Sequence, residues 1–565
     1  MNILGISFLS DASAAVIVDG KLVSAISEER LNRRKLWYGF PEEAIDHALH
    51  LAGLELSDID YISTHGLTPE EPDVAYYEYK KKLINESNLT DKLKQKRIAF
   101  IEHRFEHETR VIKQRTPNYL ATVERLNRPV KLYTHHHAHA ASAFYGSGWE
   151  QCLAITLDGW GEDGSGTVWQ CKKTEAYEDS MDCLSINSTL DSLGYFYGSI
   201  TKTLGFIPHR HEGKVLGLAA YCENPRSYDV IRSMVDVNLE KLNFIGRVEK
   251  GLYIPHFDNL ELQPLIRKYG RNDIAAAVQK TLEEVVCLLI SSLNKRAEKV
   301  VLAGGVFANV KLNQKISELD NVEEVYVFPN MGDGGLAVGA AWLAHHELTG
   351  AYPDALETMY LGSEIEDDTI LDVLSASGLK YKKYDDIHKK IAELLADGNV
   401  VARCSGRMEF GPRALGHRSI LYEASDPEVN TWLNEKLNRS EFMPFAPATL
   451  EKHADDYYFN LKKGVMPAKY MAMTFKCKEK MIKEAPAAVH VDKTARPQII
   501  NDKDHPDFHG ILTEYHKITG LSNLINTSFN MHEEPIVCSA MDAIRAFTDG
   551  NLPFLALEDY LVTNS

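Results

Sequence analysis

The chain has 565 residues, of which 44% are hydrophobic and 25% charged, and its formal net charge is −18 at pH 7. This length predicts two domains, and the negative charge argues against a nonspecific nucleic-acid binder, which needs an excess of Lys and Arg. No segment has the roughly 20 consecutive apolar residues of a membrane helix, and the eight cysteines form no C-x-x-C pair, so we expect a reduced, cytoplasmic protein without membrane contact.

The first 170 residues contain the same strand, turn and strand pattern twice. Residues 3–8 are a predicted strand, and the following apolar runs turn at Asp19-Gly20, as in a hairpin. Another apolar strand ends at Asp158, and after a glycine-rich turn a new strand begins near Thr167. This order is typical of actin-like nucleotide-binding lobes, and its repetition indicates an internally duplicated fold.

Alternating strands and helices follow. Apolar residues recur at helical spacing between Asp273 and Leu293, and the segments KVVLAGGVFANVKLN and VEEVYVFPNMGDGGLAVGAAWLAHH each predict a strand, a glycine-rich loop and a helix. The class is therefore α/β, in which ligands bind beyond the carboxyl ends of strands. A polar, Gly- and Pro-containing stretch then separates a first domain, 1–350, from a second, 381–565, with a linker at 351–380.

Residues 406–421, GRMEFGPRALGHRSIL, carry Arg407, Arg413 and Arg418 among apolar neighbours. Guanidinium groups bind phosphate or carboxylate through two parallel hydrogen bonds and stay charged when partly buried, so the segment predicts a site for a polyanionic small molecule. The alternative is a solvated basic loop, which the apolar neighbours disfavour. Further candidate phosphate ligands, each with a surface ion pair as its alternative, are Lys436, Arg439, Arg496, Ser528 and Asn530.

Histidines four residues apart suggest a metal site in the first part of the chain. His135 and His139 in THHHAHAASAF share one face of a predicted helix and can chelate one ion. Asp158 at a strand end and Asp333 in NMGDGG add carboxylates, a donor set that suits a transition metal with open positions. The alternatives are a chance histidine pair and two Asp residues that serve turns or helix N-caps.

The double glycine Gly304-Gly305 and the following Asn309 and Asn313 form a candidate nucleotide site. Glycines at a strand end let backbone amides approach a ligand closely, and the Asn side chains can bind ribose or other polar groups. Ordinary helix-start chemistry explains Asn309 almost as well.

The combination of GRMEFGPRALG, HHHAHAASAF, LDGWGEDGSG, AGGVFANVKLN, GDGGLAVGAA and NTSFN resembles, over nearly the whole chain, the O-carbamoyltransferases of natural-product biosynthesis. This is the nodulation-protein-U-like family that includes nebramycin synthase. The resemblance implies an actin/hexokinase-like first domain with duplicated lobes, similar to tRNA threonylcarbamoyl transferases. It also implies a YrdC-like α/β second domain, whose last residues can pack against the first domain.

The resemblance also implies a reaction in two sites. The second domain would make carbamoyl adenylate from carbamoyl phosphate and ATP, with Mg²⁺, and the first would pass the carbamoyl group to a hydroxyl of a small-molecule acceptor. Fe(II), or another divalent metal, would bind His135, His139, Asp158 and Asp333. Asn309 would contact the nucleotide, and the phosphates would bind Arg413, Arg418, Lys436, Arg439, Ser528 and Asn530. The resemblance does not determine which small molecule is the acceptor. We expect the protein to be a monomer or a homodimer.

The catalytic residues implied for transfer are His136, a base for the acceptor hydroxyl, and Asp11. The sequence departs from the family pattern at Ser10, where His is usual before Asp, at His417 after GPRALG, at Met443 in place of an arginine, and at Glu533 in place of glycine. These departures keep two alternatives open. One is another actin-like ATP-dependent enzyme, such as a kinase or tRNA threonylcarbamoyl transferase; the other is a catalytically silent nucleotide-binding module.

Overall fold

The structure is a computed structural model, and it describes residues 1–250, 260–293, 298–365, 367–436 and 443–564. The predicted phosphate ligand Arg439 lies outside the described residues, whereas the other predicted site residues lie within them.

Strands of the first part of the chain are short and mostly buried, as their apolar runs predict. Their bounds are β1 Asn2–Ser7, β2 Ser13–Val18, β3 Lys21–Ser27, β4 Tyr61–His65, β5 Val130–Tyr133, β6 Gln151–Leu157, β7 Gly166–Lys172, β8 Met181–Asn187, β9 Val235–Asn238, β10 Asn243–Gly246, β11 Lys299–Ala303 and β12 Glu324–Val327.

Helices connect these strands, and a π-helical turn, Val111–Arg115, joins α4 to α5. The bounds are α1 Glu29–Asn32, α2 Glu42–Ala52, α3 Val74–Glu86, α4 Asp91–Arg110, α5 Thr116–Glu124, α6 His135–Ser147, α7 Leu193–Thr203, α8 Glu212–Ala219, α9 Tyr228–Arg232, α10 Gln263–Tyr269, α11 Arg271–Ser292, α12 Val310–Ser317 and α13 Leu336–Thr349.

Two sheets repeat one strand order. The first runs β3-β2-β1-β4-β5 and the second runs β8-β7-β6-β11-β12, so each begins with three consecutive strands and continues with two later ones. In both sheets the later strands pair in parallel, β1 with β4 and β4 with β5, and β6 with β11 and β11 with β12. The α/β class and the duplicated lobes predicted from the sequence are confirmed, in agreement with the actin/hexokinase-like fold class.

Helices α6 and α13 pack against each other at backbone distance. A Cβ atom at Gly339 of α13 would lie 1.9 Å from the carbonyl oxygen of Ala138 on α6, so no side chain fits there. Ala140, Ala141 and Ala340 are also fully buried, and such small residues let helix axes approach closely. This contact brings the N-terminal turn of α6 close to the loop that precedes α13.

The second part of the chain is built on a mixed sheet in the order β13-β22-β21-β14-β15-β20-β16-β19, with β17 and β18 paired separately. The strands are β13 Lys380–Lys383, β14 Val401–Cys404, β15 Arg418–Glu423, β16 Ala446–Leu450, β17 Phe475–Lys476, β18 Thr494–Ala495, β19 Gln498–Ile500, β20 Asn523–Ser528, β21 Phe554–Leu557 and β22 Tyr560–Thr563.

Helices α15 and α20 cover this sheet through an apolar cluster that includes Leu395, Leu421, Phe508 and Leu512. The helices are α14 Asp367–Ser377, α15 Ile387–Ala396, α16 Val429–Lys436, α17 Glu451–Tyr457, α18 Val465–Ala468, α19 Glu479–Glu484, α20 Pro506–Thr519 and α21 Ala540–Asp549. This part is also α/β, and its YrdC-like character stays a prediction. Of the described helices, none is long and apolar enough to span a bilayer.

The chain divides into two compact units that do not follow the chain order. The first unit comprises Met1–Ser7, Ile17–Lys21 and Asp58–Ala355, and the second comprises Phe8–Val16, Leu22–Ser57 and Leu356–Ser565. The predicted limits, 1–350 and 381–565 with a linker between them, stay a prediction. The early segments matter for function, because they assign Asp11 to the second unit.

Candidate functional site

Four predicted metal ligands come together in the first unit. His135 and His139 lie one turn apart on α6, whose N-cap, Thr134, accepts a hydrogen bond from the amide of His137. Asp158 directly follows β6, and Asp333 opens the short turn before α13. The close packing of α6 on α13 therefore places both carboxylates beside both imidazoles, and the four side chains form a group that could hold a metal ion.

The ligand atoms of this group are spaced as donors to one ion. The Nε2 atoms of His135 and His139 are 3.1 Å apart, and the Asp158 carboxylate lies 3.3 Å from the second of them. An Asp333 oxygen lies 3.7 Å from each Nε2. Donors about 2.0–2.2 Å from a cation are separated from one another by roughly 3.0–3.4 Å, so small shifts would close the group around an ion.

The chemistry of the group also fits a cation. One Asp158 oxygen accepts from the Gly159 amide at 2.7 Å, while the other is buried and has no well-aligned donor among the described residues. Burial alone would raise the pKa of Asp158, but the nearby His135 and His139 imidazoles hold it well below its usual range. Two imidazoles and two carboxylates suit a first-row transition metal with open positions.

Glu162 and His65 support the group from behind, and neither was among the predicted site residues. The Glu162 carboxylate is fully buried and lies 3.2 Å from His135 Nδ1 and 3.3 Å from His65 Nδ1. Burial would raise the pKa of Glu162, but the His65 and His135 imidazoles lower it well below its usual range. A carboxylate that accepts from Nδ1 leaves Nε2 of His135 as the metal-binding nitrogen, as carboxylates behind metal-bound histidines do.

Glu162→Gln is expected to lower the affinity of the group for a divalent metal by about 10- to 100-fold, because a neutral amide holds the His135 ring less firmly. Competition with a chromophoric chelator measures this affinity without any turnover. The control is Glu150→Gln, which changes a largely exposed carboxylate of the same unit. Equal affinities for Glu162→Gln and the unmodified enzyme would show that Glu162 does not position His135.

One nitrogen of His136 faces the sheet. The side chain is fully buried, and its Nδ1 lies 2.8 Å from Thr156 Oγ1, which in turn contacts Thr167 of the neighbouring strand. Burial lowers the pKa of His136 to about 4. The role of His136 as a base for the acceptor hydroxyl stays a prediction.

The predicted nucleotide residues have structural partners. Asn309 is the N-cap of α12, and its side chain accepts a hydrogen bond from the Leu312 amide at 3.0 Å. This is the helix-start role that the sequence analysis kept as an alternative. Asn309 also donates a hydrogen bond to the Gln279 side chain. Asn313 is fully buried and donates to the Phe307 carbonyl at 2.8 Å. Nucleotide binding by these residues stays a prediction.

The double glycine makes room for the Asp158 loop. Gly304 has a positive φ of 98°, and a Cβ atom there would lie 2.3 Å from the Leu157 carbonyl oxygen. A Cβ atom at Gly305 would lie 3.1 Å from an Asp158 carboxylate oxygen. Glycine is therefore needed at Gly304 for the close approach of the backbone beside the metal group.

In the second unit, the arginine segment is organised around a carboxylate. The buried Glu409 side chain accepts hydrogen bonds from the backbone amides of Leu415, His417 and Arg418 at 2.7, 2.9 and 3.1 Å. These amides converge as in an anion-binding turn, but the anion that they bind is part of the chain. Glu409 therefore fixes the loop that carries the GPRALG motif.

The structure gives two of the three arginines other partners than a ligand. Arg418 is fully buried, and its guanidinium donates to the carbonyl oxygens of Ser405, Gly406, His417 and Ser363. Arg407 donates to the carbonyl oxygens of Gly362, Leu361 and Val23. Backbone carbonyls thus take up donors of two of the three guanidiniums, and anion binding by the three arginines stays a prediction. Arg413 is half-buried in the same loop.

A cavity of about 130 Å³ in the second unit brings together three predicted site residues, Asp11, Ser528 and Asn530. Ser528 donates to the Asn530 side chain at 2.6 Å, and Asn530 donates to the Met531 and Glu534 carbonyls. The other residues that line the cavity are Ser27, Glu29, Arg30, Lys35, Leu36, Gly411, Pro412, Glu534 and Ile536.

Charged residues from the first 57 positions contribute to this cavity, and no sequence motif predicts their proximity. Arg30 pairs with Glu29 at 2.7 Å and donates to the Gly411 carbonyl at 2.7 Å, which ties α1 to the GPRALG loop. Lys35 adds a cationic side chain. The predicted ligands Arg407, Arg413, Arg418, Lys436 and Arg496 are not among the described residues that line the cavity.

Two departures from the family pattern have a visible structural setting. His417 stacks on Tyr360 with 3.8 Å between ring centroids, and its Nδ1 lies 2.7 Å from the Arg407 carbonyl oxygen. Burial, with the Arg403 charge, lowers the pKa of His417, so its ring is neutral. Glu533 has a positive φ of 60°, a conformation that glycine adopts more easily.

Comparison with known proteins identifies the chain. The family model "Carbamoyltransferase N-terminus" matches residues 2–342, and "Carbamoyltransferase C-terminus" matches residues 392–564. The chain belongs to the carbamoyltransferase family. Its activity is therefore carbamoyl transfer, which the sequence resemblance implied, and the enzyme class is confirmed.

Relatives of this carbamoyltransferase extend over most of its length. It is 32% identical to an uncharacterized protein of Methanocaldococcus jannaschii, over 99% of both chains. It is 36% identical to a second uncharacterized protein from the same organism, over 77% of this chain and 74% of that protein. Nodulation protein NolNO of Sinorhizobium fredii is 30% identical over 98% of this chain and 79% of its own.

Solved structures show weaker likeness to this carbamoyltransferase. Component A of the (R)-2-hydroxyglutaryl-CoA dehydratase of Acidaminococcus fermentans aligns with a TM-score of 0.35 and 14% identity, over 62% of this chain and 100% of its own. Full-length HypF in the phosphate- and nucleotide-bound form aligns with a TM-score of 0.33 and 13% identity, over 62% of this chain and 47% of its own.

Proposed function

We propose that this carbamoyltransferase is an ATP-dependent O-carbamoyltransferase that first makes carbamoyl adenylate and then transfers the carbamoyl group to a hydroxyl. The observation that carries the proposal is the convergence of His135, His139, Asp158 and Asp333 in a chain whose two parts both match the carbamoyltransferase family. The resemblance of the sequence to adenylate-forming O-carbamoyltransferases supports the use of ATP.

The first step belongs to the second unit. Water releases phosphate from carbamoyl phosphate, an oxygen of the resulting carbamate attacks the α-phosphorus of ATP, and pyrophosphate leaves. Hydroxyl and amide groups such as those of Ser528 and Asn530 donate to phosphate oxygens. Lys35 and Arg30 line the same cavity and carry positive charge, beside the carboxylates of Asp11, Glu29 and Glu534. Enclosure limits the loss of the reactive adenylate to water.

The second step belongs to the first unit. The acceptor oxygen attacks the carbamoyl carbon, AMP leaves with the C–O bond electrons, and the hydroxyl proton passes to solvent. A divalent metal, for which we propose Fe(II), would supply Lewis-acid stabilisation of the negative charge on the leaving phosphate. His135, His139, Asp158 and Asp333 would hold it, and Glu162 would fix the ring of His135.

The acceptor that we propose is a small molecule with a hydroxyl group, and neither nucleic acid nor a membrane takes part. The negative net charge of −18 supports the exclusion of nucleic acid. We propose Mg²⁺ with ATP, a cytoplasmic location, and a monomeric or homodimeric state.

Incubation of the metal-loaded enzyme with carbamoyl phosphate and ATP tests the proposal. We expect pyrophosphate and carbamoyl adenylate in equal amounts, formed only when carbamoyl phosphate is present, and AMP when a hydroxyl acceptor is added. Formation of ADP instead would indicate a kinase, and no nucleotide turnover at all would indicate a nucleotide-binding module.

Arg413→Gln is expected to lower carbamoyl-phosphate-dependent AMP formation by about 100-fold or more. A charge-assisted hydrogen bond to phosphate contributes roughly 1.5–3 kcal/mol, and an arginine side chain can make two such hydrogen bonds. Arg413 is next to Pro412, which lines the cavity. The control is Lys480→Gln, a surface lysine of the same unit. Undiminished AMP formation in Arg413→Gln contradicts its assignment to phosphate.

A further inference from the structure

A cavity of about 350 Å³ lies in the first unit, beside the π-helical turn Val111–Arg115. Its volume falls in the range of roughly 300–1,000 Å³ that is usual for small-molecule sites. The residues that line it are His107, Arg110, Val111, Gln114, Arg115 and Asn118.

The sequence explains the unusual turn. Pro117 has no backbone N–H, so it cannot donate to the carbonyl four residues earlier, and its ring crowds that carbonyl. The Thr116 amide instead bonds to the carbonyl of Val111, five residues back. Turns of this kind are rare and frequently lie at functional sites. The lining residues recur three or four positions apart, so they share one side of the helical segment from α4 to α5.

The lining is cationic and rich in hydrogen-bond donors. Arg110 and Arg115 contribute two guanidiniums, and no carboxylate occurs among the described residues that line the cavity. Gln114 and Asn118 add amide donors. Arg110 lies 3.4 Å from Nδ1 of His107, and burial together with the Arg104 and Arg110 charges lowers the pKa of His107 to about 4. The imidazole is therefore neutral near pH 7, and the positive charge comes from the arginines.

The cavity adjoins the loop of the metal group. The His107 ring lies 6.0 Å from Trp160, edge to face, and Trp160 is two residues from both Asp158 and Glu162. One turn before His107, the Arg104 guanidinium lies 5.2 Å from the centre of the Tyr195 ring. His107 therefore links the lining of the cavity to the loop that carries the metal ligand Asp158.

We propose that this cavity binds the phosphate or carboxylate group of the acceptor, so that the acceptor is an anionic hydroxyl compound. The two guanidiniums hold the anionic group and the amides complete its hydrogen bonds, while the hydroxyl end extends toward the metal group past Trp160. This inference rests on the proposed function, since it assigns the acceptor of the second step. The sites for carbamoyl phosphate and ATP belong to the other unit.

Selenate is a probe for the anion site that requires no turnover. Crystals of the full chain soaked in selenate are expected to show an anomalous peak within hydrogen-bond distance of Arg110 and Arg115. The peak should be absent in R110Q/R115Q and present in Lys113→Gln, which removes an exposed charge of the same turn that does not line the cavity. An empty cavity in the unmodified chain, or a peak that persists in R110Q/R115Q, overturns the proposal.

Matched acceptors then separate an acceptor site from a site for free phosphate. Glucose and glucose 6-phosphate, and glycerol and glycerol 3-phosphate, differ within each pair by one anionic group. We expect the unmodified enzyme to carbamoylate an anionic compound of these pairs. The KM for that compound should rise about 10- to 100-fold in R110Q/R115Q and stay unchanged in Lys113→Gln. Selenate bound in the cavity without any preference for anionic members overturns the acceptor assignment and leaves a phosphate site.

The proposed function fails in a different way. Its first step is pyrophosphate release from ATP in the presence of carbamoyl phosphate and without an acceptor, and R110Q/R115Q should leave that rate unchanged because the cavity lies outside the unit assigned to it. Absence of pyrophosphate release in the unmodified enzyme contradicts the two-step reaction but leaves the selenate result valid. Loss of pyrophosphate release in R110Q/R115Q alone would contradict the acceptor role of the cavity.

Discussion

His139→Ala is expected to abolish carbamoyl transfer while carbamoyl-phosphate-dependent release of pyrophosphate from ATP continues. The Nε2 atom of His139 lies 3.1 Å from that of His135, 3.3 Å from an Asp158 oxygen and 3.7 Å from an Asp333 oxygen, so it is central to the metal group. Loss of one of four ligands should reduce metal affinity by more than ~100-fold, beyond the effect of losing a supporting residue. Metal content per chain and the two partial reactions, measured separately, check the prediction.

The same helix provides a matched control for His139→Ala. His137 lies on α6 but outside the metal group, where it stacks on Trp169 with 4.8 Å between ring centroids. His137→Ala should therefore keep both the metal and the transfer step, at a small cost in stability. The division of labour between the units is wrong if His139→Ala loses pyrophosphate formation as strongly as transfer, and the metal assignment is wrong if it keeps a full complement of metal.

The grouping of the metal ligands could be predicted because local spacing determines most of it. His135 and His139 are four residues apart on a helix, and Asp158 and Asp333 follow strand ends, where α/β proteins collect their ligands. Glu162 could not be singled out, because its role depends on which nitrogen of His135 it contacts. Its position four residues after Asp158 in the glycine-rich loop was the available signal.

The arginine segment shows what residue type alone does not reveal. A guanidinium has five donors, and it binds backbone carbonyls as readily as phosphate. Arg418 and Arg407 donate to carbonyl oxygens from distant parts of the second unit, including Ser363 and Leu361. Only the folded chain determines which carbonyls are within reach. The apolar neighbours of the segment correctly indicated burial, and that burial accompanies a structural role for these two arginines.

The placement of Asp11 was beyond the sequence for a similar reason. Phe8–Val16 and Leu22–Ser57 belong to the second compact unit, although Asp58–Ala355 lies between them and the rest of it. Periodicity predicts strands and helices but not long-range association. The duplicated strand order of the first part, by contrast, follows from repeated local patterns and was predicted.

Glu409→Ala is expected to destabilise the second unit by roughly 3–6 kcal/mol, because it leaves three buried amides without their acceptor. Each unsatisfied amide costs about 1–3 kcal/mol, and partial relaxation or hydration recovers some of that cost. Those amides belong to Leu415, His417 and Arg418. The Arg418 guanidinium also loses a nearby negative charge that raises its pKa. Urea unfolding followed by circular dichroism measures the loss.

Two further variants separate the hydrogen bonds from the charge of Glu409. Glu409→Gln keeps an acceptor oxygen, so we expect a loss of only about 1–2 kcal/mol, the difference between charged and neutral acceptors. Glu428→Ala removes an exposed carboxylate of the same unit and should change the unfolding free energy by less than about 0.5 kcal/mol. If Glu409→Ala is no more destabilising than Glu428→Ala, the amides find other acceptors and Glu409 does not fix the loop.

The consequence for activity distinguishes Glu409 from a residue that only adds stability. The loop that it holds contains Gly411 and Pro412, which line the cavity with Asp11 and Ser528. At a temperature where Glu409→Gln is fully folded, we expect AMP formation to fall through a higher KM for carbamoyl phosphate, because the loop and its Arg413 are no longer fixed. Transfer from preformed carbamoyl adenylate should be unaffected, since that step uses the metal group of the first unit. An unchanged KM in folded Glu409→Gln would mean that this loop does not shape the carbamoyl phosphate site.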